Sequence, residues 1–485
     1  MFQRLRESLS LILLAVLPMH AMLVTVATHI LSGRNHAPLA VLALWKEALL
    51  AVILIIAIIE IIRTKEPELQ KSVWSLDILD WCIVLAIAVG AAVSLTGGAG
   101  SSFSLQLSAA DKRFLLGFKY DFLPLTAFFL LRRVPWSRNF LVAAARVIVM
   151  VGAVAAVFGI ATLFVPLSFF TSIGYSDLHS LYLPKAAIAS FQYLEGTDIR
   201  RVQSFMSGPN QFGLWLLLPF AANLMLLFKS IRERRHADTV LYVIGGALVI
   251  AALFFTYSRS AWIGAAIILL TSAALLLRHT IENVFHRSLV LTGVGVIAGI
   301  AIVIGVNFFP QILVRAQSFK GHLEKPLEAI QTIRTHPFGL GLGTAGPASN
   351  RLSDTCVFLD LGADYTWAKN HKDLCVFIGG IRKLPAGKAC ECPVLTENWY
   401  LQWGVEMGYA GLILSLAIIL LALWFGLKIS FTDIRIIPVL ALLGVAVGGI
   451  FLHSFEDGAV AYSLWLLLAA CIPAGKRLQA QVGAL

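Results

Sequence analysis

Arg201, Arg259 and Glu397 each lie just outside, or at the mouth of, a long apolar span. Ionisable groups in that position are costly beside hydrocarbon and mark a site. Arginine guanidinium groups can hold a phosphate, and an ionised carboxylate beside them can take a proton from a hydroxyl.

The local sequence around each fits that chemistry. Residues 200–210 read RRVQSFMSGPN, in which Ser207 or Gly208 can cap the helix that follows and Pro209 suits its first turn. The free N–H groups of that helix start, with Arg200, Arg201 and Asn210 beside them, favour a bound anion such as a lipid-linked phosphate. The bland alternative is that both arginines only reach up to lipid headgroups. Tyr257 to Ser260 form the whole connection between two spans, so Arg259 sits at the hydrocarbon boundary, facing either headgroups or a polar cavity. Thr396 is a natural N-cap, and Glu397 in the first helical turn suits the helix dipole; the same dipole keeps it ionised and fit to act as a general base.

The elements that must position these residues are membrane helices. Of 485 residues 58% are hydrophobic and 13% charged, which makes this an all-α, polytopic membrane protein in one integral domain, residues 1–485. Twelve spans are expected, at 9–31, 38–62, 79–95, 114–131, 140–165, 209–228, 239–257, 260–277, 288–308, 398–427, 436–453 and 458–474. The first is too long for a signal h-region and is taken as a retained helix. Basic residues recur in alternate short loops: Arg4 and Arg6, Arg63 and Lys65, Arg132 and Arg133, Arg234 and Arg235, Arg278 and Arg287, Lys428 and Arg435, Lys476 and Arg477. That side is cytoplasmic, with both termini on it, and the three charged mouths open on the other face. Topology determinants and the absence of an aromatic-basic module leave the net charge of +11 without nucleic-acid meaning.

Two longer polar segments fall on the outer face, 166–208 and, between the ninth and tenth spans, 309–397. The larger carries ten basic residues from Arg315 to Lys388, Arg334 among them, and four of the six cysteines. Cys356, Cys375, Cys390 and Cys392 are expected as one or two disulfides, with a zinc site using His371 as the competitor. Residues 321–335 read as an amphipathic helix on the membrane surface, through Leu323, Leu327, Ile330 and Ile333, ended by Pro337. Gly341, Gly343 and Gly346 match a dinucleotide pattern, but no strand precedes them and they are taken as a turn. Further charges, Lys46 and Glu47, Lys119 and Asp121, Glu406, His453, Glu456 and Asp457, point to a polar cavity in the outer leaflet, some of them paired with one another. Arg146, nearer the cytoplasmic side, is assigned a separate structural contact.

Together, Arg201 to Gly213, the Ser258-Arg259-Ser260 hairpin, His336 to Gly341, Glu397 to Leu401 with Glu406 and Gly408, Trp45 to Glu47, and Gly117 to Asp121 resemble the O-antigen ligase and O-antigen polymerase superfamily of GT-C type. The resemblance covers most of the chain; its motifs are short, and their order and topology carry it. It implies a glycosyltransferase of the bacterial inner membrane needing neither metal nor other cofactor. The donor would be an undecaprenyl-diphosphate-linked oligosaccharide and the acceptor a glycan or lipid, with a chain-length regulator as a further partner. Arg201 and Arg259 would clamp the diphosphate and Glu397 would be the base. Arg200, Lys46, Lys119, Asn210, Asn398, Tyr400, His336, Arg334 and Arg315 would line the substrate site. Ligases of the family carry a His near the start of the helix after the large loop; Glu397-Asn398 stands there instead, which favours a polymerase, with His336 and His371 as substitute bases. A secondary transporter is the rival from another class, without the internal repeat that such carriers show, and a non-catalytic assembly subunit is a further one.

Overall fold

A computed structural model describes residues 1–33, 38–63, 75–98, 109–176, 191–194, 197–280, 316–359, 361–370, 374–385, 387 and 389–474. The expected span 288–308, Arg315 and His371 lie outside these residues. All eleven other expected spans fall on helices. Eight are long and apolar enough to cross a membrane, against the twelve expected: Phe2–Ser32, Ile78–Leu95, Asp111–Leu131, Arg138–Ala161, Pro209–Arg232, His236–Phe255, Arg259–Leu277 and Trp399–Gly426. The helix at Trp45–Arg63 carries Lys46, Glu47, Glu60 and Arg63, and Ile434–Gly448 and Gly458–Cys471 are shorter.

We label the elements used below α1 (Phe2–Val16), α2 (His20–Ser32), α3 (Trp45–Arg63), α4 (Ile78–Gly98), α5 (Ala109–Gly117), α6 (Leu123–Leu131), α7 (Arg138–Ala161), α8 (Pro209–Arg232), α9 (His236–Phe255), α10 (Arg259–Thr280), α11 (Ala316–Thr335), α12 (Gly346–Leu352), α13 (Trp399–Gly426), α14 (Ile437–Gly448) and α15 (Gly458–Cys471). One apolar core runs through the bundle, and α8, α14 and α15 are buried on nearly every side. A π-helical turn, Phe118–Phe122, joins α5 to α6 and carries Lys119 and Asp121.

Several of the arginines that set the orientation also hold helices together. Arg6 meets Glu60 at 3.0 Å and lies 4.1 Å over the Trp136 ring. Arg132 and Arg133 converge on Asp80, at 2.9 and 2.7 Å, with both arginines buried. Arg146 donates to Tyr242, the structural contact expected of it.

α13 is broken at Gly408, whose φ of 66° and ψ of −156° leave the helical region. The break frees backbone groups, and the glycine segment before α12 satisfies them. Leu340 N donates to Val405 O at 3.0 Å, Gly341 N to Glu406 O at 2.9 Å, and Tyr409 N to Pro337 O at 3.1 Å. Gly339 (φ +88°) passes so close that a Cβ would strike Glu406 O. The expected turn is thus a splice for a broken helix. Gly408→Ala should place a Cβ against Pro337 O in a backbone region nearly closed to other residues, destabilising the protein by about 2–3 kcal/mol. An unchanged Tm in detergent would remove that account.

The segment after α12 adds a small sheet that an all-α reading lacks. β1 (Thr355–Leu359) runs parallel to β2 (Leu374–Ile378), which pairs antiparallel with β3 (Ile381–Leu384). Cys356–Cys392 and Cys375–Cys390 are disulfides, so the zinc alternative falls: Cys375 and Cys390, which lie with Asp354 in a metal-like group, are bonded to each other. The segment leaves and rejoins the bundle at neighbouring points, where Gly346 N donates to Val394 O at 2.8 Å. Replacing Cys375 and Cys390 by Ser reopens a loop of 15 residues and should cost about 3 kcal/mol of this unit's stability. Limited proteolysis between β1 and Glu391 reads that loss; equal protection in both proteins would contradict it.

Candidate functional site

Two helix starts and two arginines meet at one end of the bundle. Gly208 is the N-cap of α8 with Pro209 in its first turn, as expected, and Arg259 is the first residue of α10. The starts touch: a methyl on Gly213 would meet Ala261, Ser258 and Thr256. Arg201 is buried between them. Its Nε donates to Thr256 O at 2.9 Å, Nη2 to Asn210 Oδ1 at 2.8 Å, and Nη1 to Gln192 Oε1 at 3.3 Å. The backbone is stitched as well, Val202 N to Phe255 O at 2.9 Å and Arg201 N to Gln192 O at 2.8 Å. Neutral oxygens hold three of its nitrogens, and the N–H groups of two helix starts add partial positive charge. This corner can hold an anion.

Glu397 lies at the same end of the bundle. α14 runs antiparallel to α10, with Gly444 against Gly264, and just past its end Gly449 O accepts from Trp399 N at 2.8 Å. Lys325 Nζ sits 2.8 Å from Glu397 Oε1, and His322 Nδ1 3.8 Å from Oε2. Burial works to raise the Glu397 carboxyl, but Lys325, His453 and His322 outweigh it and hold the group below the usual carboxylate range. It is ionised at neutral pH. Three of the four described non-glycine residues with positive φ, Ser204, Tyr257 and Glu397, fall in these two corners. Such conformations cost about 1–3 kcal/mol each and gather where function holds them in place.

Other expected site residues are placed differently. The N-cap of α13 is Asn398, not Thr396: its Oδ1 accepts from Leu401 N at 2.9 Å and its Nδ2 donates to Ile450 O at 2.9 Å. Glu397 therefore precedes the helix instead of lying in its first turn. Tyr400 is buried and donates to Ala446 O at 2.8 Å, so Asn398 and Tyr400 hold the helix start in place. Arg200 donates to Thr162 O and Val165 O at 2.6 and 2.7 Å. Lys46 and Lys119 flank Glu47 at 3.2 and 2.9 Å, a paired group of the expected kind.

Arg334 and His336 are exposed at the far end of α11, nine and eleven residues beyond Lys325, about 15 Å along the helix axis. α11 itself is more than a surface helix. Ala329 and Ile333 pack on Ala345 and Val405, and only Leu323 and Leu327 of the predicted stripe stay exposed. His322, Lys325, Ala329 and Ile333 share one face by i, i+3, i+4 spacing. That spacing is the sequence signal by which Lys325 and His322 could have been found.

A second polar group lies behind Glu397. Asp121, Glu406 and Glu456 are buried, with Gln402 and His453 beside them. Asp457 is the N-cap of α15, accepting from Ala459 N and Val460 N at 3.0 and 3.2 Å.

With eight long apolar helices among the described residues, the chain has the make-up of a helical membrane protein. No family model matches it, and no curated protein does.

Proposed function

We propose that this protein is a glycosyltransferase of the bacterial inner membrane. It takes a glycan from an undecaprenyl-diphosphate carrier at the periplasmic face and polymerises the repeat units of a surface polysaccharide. Both termini are cytoplasmic in this reading, and the segment 309–397 is periplasmic. The observation that carries it is the convergence of Arg201, Arg259 and two helix N-termini at the end of the bundle where the ionised Glu397 also lies. Arg201 and Arg259 bind the diphosphate and neutralise the charge that develops as it leaves. Glu397 accepts the proton of the attacking hydroxyl, and the adjoining loop orients the acceptor sugar.

The test is purified protein with undecaprenyl-diphosphate-linked oligosaccharide from the native pathway and no added metal or nucleotide, with products resolved by length and by acceptor. A ladder of longer lipid-linked chains supports the polymerase. Single transfer to a separate lipid acceptor would make the protein a ligase, and no transfer from an authentic donor would return the transporter and assembly readings to the front.

A further inference from the structure

At the end of the bundle away from Arg201, Arg259 and Glu397, a cavity of about 320 Å³ lies between the last turns of α8 and the segment that joins α13 to α14. α8 starts beside Arg201 at Pro209 and ends at Arg232, so its two ends stand about 35 Å apart, enough to cross the hydrocarbon of a bilayer. Part of the lining is apolar, from Met225, Leu226, Phe228 and Ile434, and the Phe228 ring meets that of Phe431 at 5.6 Å between centroids. The rest comes from Lys229, Arg232, Glu233 and Thr432. The surroundings are those of the headgroup level. Trp424, 63% exposed, has Lys428 Nζ 4.9 Å from its ring centre, and Ile231, between two lining residues in sequence, is 58% exposed. Aromatic rings, cations and exposed aliphatic side chains occur together where a helix leaves the membrane.

Cations prevail around this cavity. Residues 228–239 and 427–436 contain six Lys and Arg against three Asp and Glu. The acids have partners of their own: Glu233 meets Arg235 at 2.9 Å, Asp238 meets the same guanidinium at 2.6 Å, and Asp433 meets Arg435 at 2.6 Å. Lys229 Nζ lies 3.9 Å from Glu233, at the limit of an ion pair. Arg232 makes no ion pair among the described residues. Cations in the last turn of a helix also suit its dipole, which alone would account for Lys229 and Arg232. Arg234 does not fit that account. The turn after α8 is closed by Arg235 N on Ser230 O at 2.9 Å and Arg234 N on Ile231 O at 3.1 Å, and Arg234 holds its left-handed position with φ +54°. Glycine is the usual residue there. A third cation stands in its place, next in sequence to the lining residue Glu233.

We propose that this cavity binds an anionic phospholipid of the leaflet opposite the candidate site, with the phosphate between Lys229 and Arg232 and the start of an acyl chain on Met225, Leu226, Phe228 and Ile434. The two kinds of lining select it together. A zwitterionic lipid brings a cation of its own to a place that already has them in excess, and a free phosphate leaves the apolar part of the lining in contact with water. The Thr432 hydroxyl can donate to a phosphate oxygen. The volume is at the lower end of small-ligand sites, so it takes a headgroup and the first methylenes while the rest of the lipid stays in the bilayer. α8 and α13 are the helices whose other ends carry the Arg201 corner and follow Glu397. A lipid that ties α8 to the segment after α13 therefore braces the two from the opposite side of the membrane. The proposal does not depend on the glycosyl-transfer reading.

The probe is dioleoyl phosphatidylglycerol, added to delipidated full-length protein in neutral detergent and followed by native mass spectrometry and by Tm, beside dioleoyl phosphatidylcholine and inorganic phosphate. Phosphatidylglycerol should fill one saturable site and raise Tm; phosphatidylcholine at equal concentration should do neither. Replacing Lys229 and Arg232 together by Gln should weaken phosphatidylglycerol binding about 30-fold. Thr432→Trp keeps every charge, sits at an exposed position and fills the mouth of the cavity, so it should abolish the saturable binding. Equal affinity for phosphatidylglycerol in wild type and the Gln variant would overturn the proposal. Binding that persists in Thr432→Trp would make the cations a surface patch and overturn the site. Equal binding of the two lipids would leave only an apolar surface, and an equal rise in Tm with inorganic phosphate would put a free anion in place of the lipid; either result overturns the proposal.

Discussion

Arg259→Ala should lower donor turnover by about 100- to 1,000-fold while the protein stays inserted and folded. The reasoning joins the site to helix energetics. A cation on the first residue of a helix opposes the helix dipole, by about 0.3–1 kcal/mol at an exposed position. Arg259 holds that place in α10, so the dipole itself loses nothing when the charge is removed. Tm measured beside activity separates a binding role from a structural one. Arg259→Lys keeps the charge and loses the planar fork, and should recover only part of the rate. Wild-type turnover in the alanine variant would take the diphosphate clamp out of the mechanism.

Glu397→Gln should lower kcat about 100-fold with little change in donor binding. Its pairing with Lys325 involves side chains 21% and 38% exposed, so the loss of stability should stay within about 1 kcal/mol. The pH dependence has a definite sign. Because the folded carboxyl lies below its ordinary value, activity and the contact that Glu397 makes with α11 persist at neutral pH and are lost only as pH falls through that depressed value. A pH–rate profile of wild type and variant reads it; an acid limb shared by both proteins would assign the limb to another group.

The helices were legible because apolar runs of membrane length admit little else, and even the cap at Gly208 followed from its neighbours. Contacts that join distant residues were not legible. Asp121, Glu406 and Glu456 read as scattered charges, since nothing local says that a π-helical turn and a hairpin bring them to one helix. The glycines at 341, 343 and 346 read as a turn because the partner that explains them, the break at Gly408, lies more than 60 residues further on. Thr396 and Asn398 are both good caps by type, and only the tertiary bond from Asn398 to Ile450 decides between them. Lys325 was passed over because α11 was judged by its leucines, whereas the buried face is marked by Ala329 and Ile333.

The amide of Gly346 and the carbonyl of Val394 share a hydrogen bond, so the chain leaves and returns at one point, beyond which α12 rests on α5 and Glu391 reaches Arg113 at 3.9 Å. The small sheet lies past those anchors and has an apolar core of its own. That part can lengthen, shorten or be exchanged with little demand on the membrane helices, which makes residues 355–384 the natural place for related chains to diverge and for a tag or a grafted domain to be inserted.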